Sequence, residues 1–479
     1  MLNKELDKKI VAWIDGHREK ILGEWMDLMR IPSVRGEAAP KAPYGVECAR
    51  ALKKATEYIE ERGFSVKLNE DEGYAITFYG DGEKTIGLYG HSDVVPTGDG
   101  WLYTEPFEPL LKDGMLIGRG SCDNKNGVMA SISVLECLRD LQIPLKGKVM
   151  AFVGSNEESG MGDMEAFVRN EKMPELNFAP DSGFSCALGE KGILRMWAEC
   201  GETMNTVVDF RGGNAFNVVL DKAAVTLKPN AALAQQLASV VAGNERYILE
   251  TTADAIILRT IGVSKHAARP VDSINATVLA CDALTACDAL DAKDRAILKT
   301  VSKLLTNYHG EDLGIAHEDP DCGKLTSANG MVAVENGHLR VSLDIRYGVA
   351  LAPDVLEEKL HKAWNAVGWS IVYMNNRPGY LNDKNHPVPA LMTNLCNEIT
   401  GNDYKTYLME GGTYCRYLKN AVPTGTRAVM AGVESPVTKM PAGHGGAHQR
   451  DECVDLEAFF TGLRILIHAV VQCDELLNS

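Results

Sequence analysis

The stretch "LYGHSDVVPTGDGW" at residues 88–101 closes an apolar run that begins at Thr85. It sets His91 and Asp93 two residues apart where a buried strand ends. Alternate residues of a strand share a face, so the two side chains point the same way, into whatever lies beyond the sheet. Alone, a His-x-Asp pair reads as a hairpin or loop bearing a solvated histidine. The chain repeats the arrangement, however. Apolar runs at 74–78 and 148–154 are separated by helical patterns at 46–61 and 127–141, an alternation that predicts an α/β sheet with helices on its faces. "KVMAFVGSNEESG" puts Asn156, Glu157 and Glu158 after one strand, and "LNFAPDSGF" puts Asp181 after a short apolar run. Ligands gather beyond the carboxyl ends of strands in such sheets, and three acidic or imidazole clusters arrive there.

At 479 residues the chain is too long for one ordinary core, which predicts two domains or more. Its hydrophobic content of 45% and charged content of 24% are those of a globular protein. A net charge of −16 argues against nucleic acid and anionic membranes as partners, since both require clustered Lys and Arg. The first thirty residues carry charges inside every apolar run. They read as an amphipathic helix burying Ile10, Trp13, Ile14, Ile21 and Trp25, and no signal peptide is expected. No apolar segment reaches the 18 residues of a membrane span. The 12 cysteines are scattered without a CxxC pair, the usage of a reducing cytoplasm with free thiols.

Beyond residue 193 the texture changes to period-two strands. "VDFRGG" at 208–213 matches "LDIRYG" at 343–348, suggesting two similar sub-units in the middle region. Helical stretches at 231–241, 273–289 and 353–367 would cover their sheets. The Pro-, Gly- and Asn-rich "NNRPGYLNDKNHP" marks a linker, after which helices at 389–399, 412–418 and 456–477 return to the first texture. The expected architecture is an α/β catalytic domain, a mixed sheet flanked by helices, with an inserted α+β lid domain. Its segments are 1–192 and 382–479 for the catalytic domain and 193–381 for the lid.

Two-metal hydrolytic sites hold their ions about 3.5–4 Å apart with a bridging carboxylate and a few His, Asp or Glu ligands, a donor mixture that zinc accepts. The candidates are His91, Asp123 in "GRGSCDNKNG", Glu157, Glu158, Asp181 and a histidine of "AGHGGAHQRDE". Taken singly, Asp123 reads as a turn or helix cap, the glutamates as a solvated loop, and Asp181 as an N-cap. Together they sit in Gly-rich loops at strand ends.

"GHSDVVP", "RGSCDNKNG", "SNEESG", "PDSGF…GEKG", "RPGY", "EGGTYCRYL" and "HQRDE" follow one another in the order of a known family. Over nearly its whole length the chain resembles the co-catalytic zinc metallopeptidases. These include carnosinase-type Xaa-His dipeptidases, glutamate carboxypeptidase, acetylornithine deacetylase and succinyl-diaminopimelate desuccinylase, and the resemblance is closest to the bacterial cytosolic dipeptidases. It implies two Zn²⁺ per chain, with His91 and Asp181 on one, Glu158 and His448 on the other, and Asp123 between them. It further implies that Asp93 orients His91 by accepting its other imidazole proton, and that Glu157 is the general base. His448, four residues before Glu452, matches the family histidine, and His444 matches a loop residue. In the lid, His266 of "GVSKHAARP" would stabilise the oxyanion and Asn217 would contact substrate, with an ordinary turn residue as the alternative for Asn217. Arg346 would clamp the substrate carboxylate, with a strand-edge surface arginine as its alternative. Gly411 and Gly412, before a helix, would offer N–H groups to the same carboxylate.

The chain departs from the family where Asp123-Asn124-Lys125-Asn126-Gly127 replaces Asp-Asp-Lys-Gly, a change near enough to the metals to admit Mn²⁺ or Co²⁺. The implied activity is hydrolysis of short peptides with a free amine and a free carboxylate, in the cytoplasm, by a monomer or homodimer whose partner is a small peptide, with no nucleic acid and no membrane. An N-acyl-amino-acid amidohydrolase using the same metals, and a non-catalytic metal-binding relative, are the alternatives.

Overall fold

The computed structural model describes residues 2–479, and its chain divides into two compact units, Met1–Gly189 with Asn382–Ser479 and Glu190–Leu381. In the first unit a six-stranded sheet runs in the order Val66–Asn69, Tyr74–Gly80, Lys148–Gly154, Thr85–His91, Leu176–Ser182 and Ala421–Gly425. The last four are mutually parallel, and the first two form an antiparallel edge. "TIGLYGH" is buried at all seven positions. This is the continuous apolar texture of a parallel strand covered on both faces.

Helices Lys4–Met29, Val46–Glu61, Lys125–Asp140, Pro387–Thr400 and Leu456–Leu477 supply that cover and share its core. The first is capped by the Asn3 side chain, which accepts from the N–H groups of Glu5 and Leu6, and it buries Ile10, Trp13, Ile14, Ile21 and Trp25. The second of these patterns was read to start at Gly127, and the third helix in fact begins at Lys125 with every residue to Leu138 buried. The last helix is long and apolar enough by composition to cross a membrane, against the expectation from the sequence, but most of it is buried as a core helix of this unit.

The second unit is the inserted α+β domain. Eight antiparallel strands run in the order Tyr247–Thr251, Ile256–Ile261, Lys222–Leu227, Val207–Gly212, Val332–Glu335, His338–Tyr347, Gly192–Thr203 and Trp369–Arg377, with Thr326–Ala328 also paired to His338–Tyr347. Helices Ala231–Val241, Ala276–Thr285, Ala292–Leu305 and Pro353–Ala366 bury their apolar stripes with one face of the sheet. The Asn-rich segment read as a linker is strand as far as Arg377. Asn375, Asn376 and Arg377 pair with Arg195, Leu194 and Ile193, and the Asn376 side chain bonds Tyr347 and Glu357. Ladder hydrogen bonds outweigh the low strand propensity of asparagine there.

Glycines set how closely the site-bearing segments approach. A Cβ on Gly90, next to His91, would lie 2.7 Å from the Val128 nitrogen and 2.9 Å from the Gly127 carbonyl carbon, both backbone atoms at the start of a helix. Backbone cannot swing aside as a side-chain tip can. Gly90→Ala is therefore expected to destabilise the protein by about 1–3 kcal/mol, the scale of overpacking a filled interior. A lowered urea midpoint at unchanged slope would show it, and an unchanged midpoint would refute the tight approach.

Candidate metal centre

Parallel pairing brings the acidic loops to one end of the sheet. His91 is the last residue of its strand and pairs with Gly154, three residues before Glu157, while Asp181 lies at the end of the neighbouring strand. Asp123 precedes the helix that starts at Lys125, and His448 comes from the loop before Cys453–Asp455.

These side chains converge. One oxygen of Asp123 lies 3.2 Å from His91 Nε2, and its other oxygen lies 3.1 Å from His448 Nε2. Asp181 Oδ2 is 3.6 Å from His91 Nε2, and Glu158 Oε2 is 3.1 Å from His448 Nε2. Glu157 Oε2 stands 4.0 Å from His91 Nε2. His91, Glu157 and Asp181 form one group able to hold a metal ion, and His91, Asp123 and Glu158 form another. The donor set fits divalent cations on a further ground. His91 Nε2, Glu157 Oε1 and Glu158 Oε1 are buried polar atoms without a hydrogen-bond partner. Orphaned buried donors and acceptors cost about 1–3 kcal/mol each, a cost that a cation among them removes.

Protons take up the charge in the metal-free centre. Burial, reinforced by Asp123, pushes Glu158 up to about 7 and Asp181 up to about 6. Glu157 is raised well above the carboxylate range by burial. His448 is held protonated chiefly by the charge of Glu158. At His91, burial opposes protonation, but the facing carboxylates of Asp123, Asp181 and Asp93 overcome it.

Around these groups lie residues that hold the loops. The Asp93 carboxylate accepts the backbone N–H groups of Glu157 and Glu158, both at 3.1 Å. The closer acceptor for His91 Nδ1 is the Asp93 main-chain oxygen at 3.0 Å, with the carboxylate at 3.4 Å, so the carboxylate serves mainly the glutamate loop. Sequence reasoning missed three others. Asn124 donates to Asp181 Oδ1 at 2.8 Å and to the Pro180 oxygen at 2.9 Å, while its own oxygen accepts from the His91 N–H at 3.3 Å. Asp163 accepts from the N–H groups of Ser155 and Asn156 and from the Tyr414 hydroxyl. Glu452 accepts from the N–H groups of Gly120, Cys122 and Asp123 and pairs with Arg119. The departure at Asn124 and the "HQRDE" spacing were signals for two of them; Asp163, eight residues beyond Ser155, had none.

His444 is engaged by Asp451 through Nδ1. Gly411 and Gly412 do not open an α-helix: Tyr414–Tyr417 is a single 3₁₀ turn capped by Thr413, and Gly412 packs against the Arg416 guanidinium. The other expected residues belong to the inserted unit, which gathers them among themselves. Val218 bridges His266, the Ala267 N–H donates to the Asn217 oxygen at 2.9 Å, and the Thr326 hydroxyl donates to the Ala267 oxygen at 3.0 Å. Thr326 is the strand partner of Arg346. Arg346 is buried on an interior strand, not at a surface edge, and its guanidinium is paired with Asp344 at 2.5 Å.

A family model for peptidase family M20/M25/M40 matches residues 87–472. YtjP of Bacillus subtilis (strain 168), which carries a provisional dipeptidase name, is 27% identical over 468 residues, covering 95% of this chain and 97% of its own. Among solved structures, the Saccharomyces cerevisiae di-peptidase Dug1p matches with a TM-score of 0.60 at 14% identity, covering 98% of each chain. Human carnosine dipeptidase 1 matches with a TM-score of 0.58 at 15% identity, covering 98% of this chain and 100% of its own.

Protonation of the centre fixes a sign for stability. Glu158 and Asp181 bind protons more tightly folded than unfolded, and so do His91 and His448. The metal-free protein should therefore lose stability as pH rises from about 4 to 7, the span between ordinary carboxylate values and the raised ones. Ligands must shed those protons to bind metal, so the metal-loaded protein should gain over the metal-free form across the same span. Urea midpoints at pH 5 and pH 8, with and without metal, would check both signs.

Proposed function

The chain belongs to peptidase family M20/M25/M40 and is a metallopeptidase, and from that premise we propose that it is a dinuclear metal-dependent dipeptidase, acting on short peptides with a free amine and a free carboxylate. The observation that carries the reading is Asp123, whose two oxygens face different histidines at 3.2 and 3.1 Å. That is the disposition of a carboxylate shared between two ions. His91 with Asp181, and His448 with Glu158, would complete the two sites. Mixed imidazole and carboxylate donors suit Zn²⁺, with Mn²⁺ and Co²⁺ as the alternatives. The 27% identity to YtjP over 95% of this chain supports the dipeptide as substrate. Twelve free cysteines, all buried except Cys322, support a reducing cytoplasm.

When bound, the two cations would lower the pKa of the attacking water and polarise the scissile carbonyl. The protein's own residues do the rest. Glu157 lies farther from its nearest imidazole than Glu158 does, at 4.0 against 3.1 Å, and is the carboxylate left to move a proton. It takes the proton of the attacking water and delivers it to the leaving amine. Asp93 fixes where Glu157 sits through its backbone N–H. His266 stabilises the oxyanion and Asn217 binds substrate. Arg346 acts on the substrate carboxylate only by exchanging its bond to Asp344.

The adjacent glutamates give the test. Glu157→Gln should keep two metals per chain and lose about 10²–10⁴-fold in kcat, the range of a general acid–base group, whereas Glu158→Ala should lose one metal. Metal analysis beside steady-state kinetics reads both, and reversed phenotypes would exchange the two assignments. Hydrolysis of N-acetylated amino acids in preference to free dipeptides would replace the dipeptidase reading with that of an amidohydrolase. His266→Ala should lower kcat about 10²–10³-fold at nearly constant KM, and wild-type turnover would remove it from the chemistry.

A further inference from the structure

The sheet delivers a fourth segment to the metal-bearing end. Ala421–Gly425 runs parallel to Leu176–Ser182, and Thr426 and Arg427 follow it directly. Beside them a cavity of about 40 Å³ is lined by Asp123, Asp181, Ser182, Thr426 and Arg427. It has room for a carboxylate.

Arg427 is largely enclosed, yet no carboxylate among the described residues forms an ion pair with it. Among those residues its one hydrogen-bond partner is Cys122 Sγ, 2.5 Å from Nη1. A thiol is a weak acceptor. The two carboxylates on the cavity wall, Asp123 and Asp181, both lie within reach of His91 Nε2. Thr426 Oγ1 accepts from Asn126 Nδ2 at 2.7 Å, which leaves its hydroxyl proton to donate. A planar fork of N–H donors beside a hydroxyl donor is a receptor for a carboxylate.

We propose that Arg427 and Thr426 bind a carboxylate of the substrate in this cavity, beside Asp123 and Asp181. The proposal deepens the dipeptidase reading and rests on it. It assigns the first unit a cation of its own for the substrate, where Arg346 is already paired with Asp344. The carboxylate has two possible sources, the C-terminus of a dipeptide or the side chain of an Asp or Glu residue, and the chemistry of recognition is the same.

The test compares Ala-Ala with Ala-Ala-amide, and Ala-Glu with Ala-Gln, on wild-type enzyme and on Arg427→Met, which keeps the apolar stem and removes the charge. Arg427→Lys keeps the charge without the fork. Metal content and melting temperature confirm that the variants are folded, and Thr426→Val serves where Arg427→Met is not. The wild type should favour Ala-Ala over its amide about tenfold or more in kcat/KM, the scale of a charged hydrogen bond. Collapse of that ratio in Arg427→Met, through KM, identifies the C-terminal carboxylate. Collapse of the Ala-Glu to Ala-Gln ratio alone identifies the side chain. If neither ratio moves, the proposal is overturned.

Calorimetric titration of the chelated protein with the same four peptides separates this from the activity. Should the wild type hydrolyse none of them, the dipeptidase reading falls. A carboxylate preference in binding that Arg427→Met abolishes would still uphold the subsite, and equal binding of acid and amide by the wild type would overturn it.

Discussion

The carboxylate of Glu452 accepts the backbone N–H groups of Gly120, Cys122 and Asp123 while Arg119 pairs with its other oxygen. A loop has no strand neighbour to satisfy its amides, and a buried amide left alone is costly. Glu452 supplies that neighbour and so fixes Asp123 between two histidines. Asp163 does the same for Ser155 and Asn156, and Asp93 for Glu157 and Glu158. Three buried carboxylates thus set two loops on which metal-facing groups sit, 120–123 and 155–158. Lys125 extends the arrangement, donating to the Leu28 and Ile31 oxygens and so fastening the end of the first helix to the segment that follows Asp123.

This scaffolding explains how an acidic centre survives in the folded protein. Asp123, Glu157, Glu158 and Asp181 repel one another, and Coulomb repulsion between buried carboxylates grows as the local dielectric falls. Burial and mutual repulsion raise Glu157, Glu158 and Asp181, while Asp123, facing both imidazolium groups, is pulled down by them against its own burial. Asp123 lies at the middle of the set and keeps its negative charge. The loops could relieve the repulsion by opening, and the amide-to-carboxylate bonds oppose that.

The alternation of strand and helix patterns before residue 193 was legible because parallel strands buried on both faces are written as unbroken apolar runs, and the polar residues that follow them stand out. His91, Asp123, Glu158, Asp181 and His448, which the structure brings near one another, were singled out that way and by motif order. The residues that hold them were not, because a carboxylate that accepts backbone amides carries no spacing rule: Asp163 reads as any first-turn helix acid. In the inserted unit the helix Ala292–Leu305 and the strands Lys222–Leu227 and Ile256–Ile261 passed unmarked, for their antiparallel strands are short and half-exposed. The matched "VDFRGG" and "LDIRYG" did carry physical content. Asp209 pairs with Arg211 and Asp344 with Arg346, each two residues along one strand face, but the first pair is exposed and the second buried.

The first unit is assembled from two pieces of chain separated by the whole of the second. Its sixth strand, its closing helix and His448 all lie beyond Asn382. On a ribosome these emerge after the second unit. Until they do, the strand Leu176–Ser182 presents an open edge in place of its pairing with Ala421–Gly425, and Asp123 lacks both Glu452 and its second histidine. The inserted unit, continuous in sequence with its own core, has every residue it needs before that point. Order of synthesis therefore lets the centre form only after the inserted unit has been made, and an early chain holds neither a finished sheet nor a pair of sites to load.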